Sequence, residues 1–167
     1  ALGISLIPPL LAALRNASAY KNEDVRGHAA RIFYNIAFNG HDISPEIPML
    51  ITALADEGDN VRFYATAALS EAARQGADIS PAISALINEL SEKPDNWVNV
   101  PASAAEALKN SAQSGSQEIK ETILREMMSF LRSTTFMLEA EKNSIRFVST
   151  MKNLESVLET IREKEAA

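Results

Sequence analysis

The tripeptide Ile-Ser-Pro occurs at Ile43-Ser44-Pro45 and again at Ile79-Ser80-Pro81, 36 residues apart. Behind each copy the same order of apolar, small and charged positions recurs, and an earlier copy of that order runs from Leu6-Ile7-Pro8 to His41-Asp42. A period of about 36 to 40 residues is typical of supersecondary units that cannot bury their apolar faces alone and must stack on one another. The chain is therefore read as a repeat array. Its boundaries fall at about 3–40, 43–78 and 79–115, with 116–167 as a continuation of the same domain.

Each copy divides into two helical segments. In the second copy Ile47, Leu50, Ile51 and Leu54 form one apolar stripe, the turn Asp56-Glu57-Gly58-Asp59 follows, and a second stripe runs through Val61, Ala65, Ala68, Leu69 and Ala72. At 100° per residue the five positions share one side of a helix, so they face a core. The matching set is Val25, Ala29, Ile32, Phe33 and Ile36 in the first copy, and Val100, Ala104, Ala107, Leu108 and Ser111 in the third. Alanine dominates the second helices, combining helix propensity with the small volume that lets neighbouring helices approach closely.

Helix starts are marked too. Ser44 and Ser80 are expected to cap the first helices, with Pro45 and Pro81 in the first turn, where no N–H partner is needed. Asp24, Asn60 and Asn99 are expected to cap the second helices.

The arrangement Pro-x-Leu-x-x-x-Leu, an acidic turn, then Val-Arg-x-x-Ala-x-x-Ala-Leu resembles the HEAT repeat family. Pro48, Leu50, Leu54, Asp59, Val61, Arg62, Ala65, Ala68 and Leu69 carry the resemblance in the best copy. Armadillo repeats are similar but have an extra short helix, for which the stretch between the stripes leaves little room. The resemblance implies an all-α fold, a right-handed α-solenoid of stacked antiparallel helix pairs. It also implies an Asp–Arg ladder between repeats, here through Asp24, Arg26, Asp59 and Arg62, interrupted in the third copy by Pro101.

Residues 116–167 contain no glycine or proline. Ser116 is placed to cap a fourth first-helix carrying Ile119, Ile123, Leu124, Met127 and Leu131. Beyond it Met137, Ala140, Ser144, Phe147, Met151, Leu154, Leu158 and Ile161 alternate by three and four, a heptad seam. Three readings stay open: a long C-terminal helix that caps the array, a coiled coil making a homodimer, or a break at Asn143-Ser144.

Composition narrows the chemistry. With 16 Lys+Arg against 22 Asp+Glu the net charge is −6, and no basic stripe is present to neutralise phosphates, so nucleic acid is not the expected partner. No stretch approaches the roughly 18 consecutive apolar residues of a membrane span, and the absence of cysteine fits a reducing, cytoplasmic setting. The chain begins at Ala1 without methionine, which suggests processing or a longer parent in which Leu2, Ile4 and Leu6 face a preceding repeat. His28 and His41 are the only histidines and neither is followed by Glu, so the His-Glu metal pairs of hydroxylase relatives are missing. No phosphate-cradling loop or nucleophile elbow is present. No catalytic residue, metal site or cofactor is expected.

The positive signal lies opposite the core stripe of the second helices. Tyr34 and Phe38 point there in the first copy and Phe63 in the second, with Arg31 and Arg74 beside them and Arg62 near the turn. Aromatic rings and arginines are the residue types that anchor protein interfaces. In the resembled family this surface is concave and carries partners. The chain is thus read as a non-catalytic scaffold for a protein partner, the alternative being a bilin lyase-type accessory enzyme built on similar repeats. Trp97, in the turn between the helices of the third copy, is read as a packing residue.

Overall fold

A computed structural model describes residues 20–90, 99–138 and 145–165, and among these every regular element is helical. In chain order they are α1 (Glu23–Phe38), a 3-10 turn (Ser44–Glu46) leading into α2 (Ile47–Ala53), α3 (Asp59–Arg74), a second 3-10 turn (Ser80–Ala82) leading into α4 (Ile83–Glu89), α5 (Val100–Ser114), α6 (Gln117–Leu138) and α7 (Ile145–Glu165). The expected first helix of the first copy and Trp97 lie outside the described residues.

The helices form two layers. The second helices pack in sequence, α1 on α3, α3 on α5 and α5 on α7, while α2 and α4 lie against α3 and α5, and α6 against α4 and α5. One continuous core runs between the layers. The expected stripes supply it: Ala29, Phe33 and Ile36, then Val61, Ala65, Ala68, Leu69 and Ala72, then Val100, Ala104, Ala107, Leu108 and Ser111 are all buried. Two members of the first stripe differ. Ile32 is half-buried, and Val25, in the first turn of α1, stays 37% exposed.

Helix α7 repeats the same pattern. Thr150, Leu154, Val157 and Ile161 are buried and Leu158 half-buried, which reproduces the spacing of Val61, Ala65, Ala68, Leu69 and Ala72. The long C-terminal helix therefore stacks on α5 as a fourth second-helix. It starts at Ile145, so Met137 belongs to α6, and the anticipated break at Asn143-Ser144 falls in a stretch outside the described residues. From Leu154 onward the apolar seam is covered within the chain, while Met151 of the seam and Val148 beside it are exposed.

The motif that sets the period is longer than Ile-Ser-Pro. Ser44 and Ser80 do not cap with their side chains. Instead the carboxylates of Asp42 and Asp78 accept the N–H of Ser44 and Ser80, each at 2.8 Å. Hydrogen bonds from the serine hydroxyl and N–H hold both carboxyls below the ordinary range. Ile43 and Ile79, 1% and 0% exposed, plug the core beside them. Each motif follows a glycine that ends the preceding helix, Gly40 at φ +83° and Gly76 at φ +89°. The N–H of the next residue reaches back to Ile36 or Ala72, and the glycine N–H to Ala37 or Ala73, which is the Schellman pattern.

The second-helix caps depart from expectation at two of three positions. Asn99 caps α5 by accepting the Ala102 N–H at 3.0 Å. In α1 the cap is Asn22, which accepts the Asp24 N–H, and in α3 it is Gly58, so Asp24 and Asn60 lie inside their helices. Pro101 accounts for the shift. Lacking an N–H, it is tolerated only in the first turn, so α5 begins later relative to its core stripe than α1 and α3 do.

Candidate protein-binding surface

Two ladders fix the second helices against one another. In the first, the guanidinium of Arg26 grips Asp56 through two parallel hydrogen bonds of 2.6 and 2.8 Å and donates from its third nitrogen to the carbonyls of Tyr20 and Lys21. Arg62 repeats the carbonyl contacts one period later, on Asp56 and Glu57. It also pairs with Asp59 and, at 3.4 Å, with Glu89. The ladder expected through Asp24 and Asp59 thus runs through Asp56, which bonds across repeats, while Asp59 pairs within its own helix. Asp56 has its carboxyl lowered, first by the hydrogen bond from Arg26 and then by the Gly58 N–H, against an opposing effect of burial.

The second ladder lies at the helix C-termini. Gln75 donates to the Ala37 carbonyl at 2.5 Å and Ser114 donates to the Ala73 carbonyl at 2.8 Å. These bonds give a second donor to carbonyls that already close the Schellman turns with Gly40 and Gly76.

Between the ladders the outer face of α1 and α3 carries a row of rings. Phe38 and Tyr34 have centroids 5.8 Å apart, Tyr34 and Tyr64 6.3 Å, and Tyr64 and Phe63 5.2 Å in an edge-on contact. Phe38 is 58% exposed; the other three rings are half-buried, and Tyr34 also packs against the core. All three ring residues singled out in the sequence therefore belong to one row. Tyr64, which joins Tyr34 to Phe63, escaped that reading because it lies about 100° around the helix from Phe63, toward α1. Its alignment with His28 one period earlier was the available signal.

The three arginines separate. Arg31 is exposed on α1 and lines a cleft of about 150 Å3 with Glu23, Asp24, Gly27, His28, Asn60 and Tyr64. Arg74 is 54% exposed at its side chain and holds Glu71 at 2.7 Å. Arg62 is 15% exposed and committed to the ladder. His28 turns its Nδ1 to the Asp24 carbonyl at 2.6 Å. A larger groove of about 480 Å3 lies between α1 and α2, but its floor is the core residues Phe33, Leu50 and Val61 and its polar edge is the Arg26–Asp56 pair. Among the described residues no group of His, Asp and Glu is arranged to hold a metal, and no helix is long and apolar enough to cross a membrane.

The sequence matches no family model and none of the curated proteins. Solved structures do resemble the fold. A designed armadillo repeat protein in complex with the peptide (KR)4 is 22% identical, with a TM-score of 0.65 over 90% of this chain and 64% of its own. An engineered protein is 20% identical, with a TM-score of 0.63 over 90% of this chain and 62% of its own. A second designed armadillo protein is 18% identical, with a TM-score of 0.60 over 90% of this chain and 70% of its own. The fold is a HEAT/armadillo-like α-solenoid. The chain spans about two thirds of the length of these structures.

Proposed function

We propose that the protein is a non-catalytic scaffold that binds a segment of another protein along the outer face of its second helices. The supporting observation is the row Phe38, Tyr34, Tyr64 and Phe63, four rings in mutual contact on a solvent-facing surface. A core does not require Phe38 to be 58% exposed, and contiguous exposed apolar area on a folded domain marks interaction sites. Aromatic rings supply large contact area at little conformational cost, which makes them interface anchors. Arg31 and Arg74 lie on the same face and contribute polar contacts. Arg62 positions the face through the ladder and does not meet the partner. A solved neighbour of the same fold, a designed armadillo repeat protein in complex with a peptide, supports this reading.

Replacing Phe38 with alanine tests the reading. Affinity for a bound partner, read by fluorescence anisotropy or calorimetry, is expected to fall at least tenfold, as for an interface anchor. Thermal stability is expected to stay within about 0.5 kcal/mol, as for an exposed residue. Unchanged affinity in both Phe38→Ala and Tyr64→Ala would place binding elsewhere.

A further inference from the structure

Charges around the ring row are for the most part neutralised inside the chain. Arg26 and Arg62 are held in the ladder, Arg74 pairs with Glu71, and Lys109 pairs with Glu106 at 2.7 Å. On the described parts of α1, α3 and α5, Asp24 and Arg31 have no ion-pair partner, and Glu23, lying beside Gly58, feels only the longer-range attraction of Arg26 without pairing with it. All three line the same cleft, with Tyr64 on its far wall. Gly27 is buried at the back of that cleft, where α1 comes close to Asn60 and Val61 of α3.

We infer that the segment bound on this face carries both signs of charge, a carboxylate set against Arg31 and a cation set against Glu23 and Asp24, with apolar side chains continuing along the rings. The inference rests on the protein-binding reading above and specifies its ligand. A run of acidic residues meets Glu23 and Asp24 with like charge, and a run of basic residues meets Arg31 with like charge. Only a dipolar segment matches both ends of the cleft. Asp24 and Arg31 are seven residues apart on one helix, or about 10 Å along its axis, which an extended chain spans in about three residues. The ligand's cation therefore precedes or follows its carboxylate by about that interval.

The test is selection from a randomised peptide-display library with the full chain as bait, repeated with Arg31→Glu. Arg31 is exposed, so the variant keeps the fold, which circular dichroism verifies. Peptides enriched by the unaltered chain are expected to share an acidic and a basic position about three residues apart beside apolar residues. Their affinity should drop about threefold to tenfold in Arg31→Glu, the range of an exposed ion pair replaced by a repulsive one. Selection on the variant should exchange the acidic position for lysine or arginine. Enriched peptides that lose binding in Phe38→Ala and Tyr64→Ala but lack the charge pair and tolerate Arg31→Glu overturn this inference alone. Failure to enrich any peptide, or enrichment of peptides indifferent to the ring substitutions, overturns the binding reading with it.

Discussion

Asp56 shows how one side chain can tie two repeats together. It accepts two bonds from Arg26, takes the Gly58 N–H at 2.8 Å, and does so with side chains only 13% and 11% exposed. Its carboxyl is held below the usual range in the folded chain, so between the folded and unfolded values the unfolded chain binds more protons. The stabilisation it gives is complete above the ordinary carboxylate range, near pH 4, and is lost as the pH falls through the lowered folded value. Asp42 and Asp78 act in the same direction. Urea midpoints measured from neutral to acid pH are expected to fall steeply below about pH 4, and Asp56→Asn should flatten that fall while lowering stability at neutral pH. The same acid slope in the variant would remove Asp56 from the account. The sequence pointed to a ladder and to Arg26 and Arg62 as its cations, but chose the wrong carboxylates. Asp24 and Asp59 sit next to the arginines in sequence; Asp56 reaches Arg26 only because one turn is stacked on the next.

At the scale of the element, alanine-rich faces decide how closely the second helices pack. Ala65, Ala68 and Ala73 of α3 are 0% exposed, as are Ala104, Ala107 and Ala112 of α5. Such positions leave no room for added methyl groups. Ala68→Leu is expected to destabilise the fold by about 1–3 kcal/mol through overpacking, seen as a lower urea midpoint with an unchanged slope. A neutral result would mean that the helices separate without penalty. These faces were legible because helical periodicity is a local property: the spacing that placed Ala65, Ala68 and Leu69 on one side needs only the 3.6-residue turn. The starts were less legible. Asn99 was identified as a cap, whereas Asn22 and Gly58 were not, because several good cap residues stand together at each turn. A Cβ at Gly58 would meet the Glu23 side chain at 2.5 Å, a contact that exposed Glu23 can relieve by turning away.

For the whole molecule the stacking of α7 on α5 extends the array by one more second helix. Leu154, 2% exposed, sits in this joint, and Thr150 ties α7 to the C-terminal end of α4 by donating to the Leu90 carbonyl at 3.2 Å. In a repeat array, stability is shared between units and their nearest-neighbour interfaces. Leu154→Ala should therefore cost about 2–5 kcal/mol, and hydrogen exchange should rise first in α7 and α5. Uniform acceleration across α1 to α7 would instead show a single cooperative unit. The ring row lies on α1 and α3, away from this joint, so the same variant should leave peptide binding intact at temperatures where it is folded.

The sequence by itself determined the pairing of helices within the second and third copies and the faces that become core, because these follow from apolar spacing and from breakers close together in the chain. It also placed Tyr34, Phe38 and Phe63 on the outer face, by the same rotation rule. Tertiary structure alone decided which charges remain available. Arg62 finds Glu89 and Arg26 finds Asp56 across 27 and 30 residues, and no local pattern encodes such pairings. The same holds for Tyr64, whose place in the ring row exists only once α3 lies against α1, and for Asp24 and Arg31, which stacking leaves without an ion-pair partner.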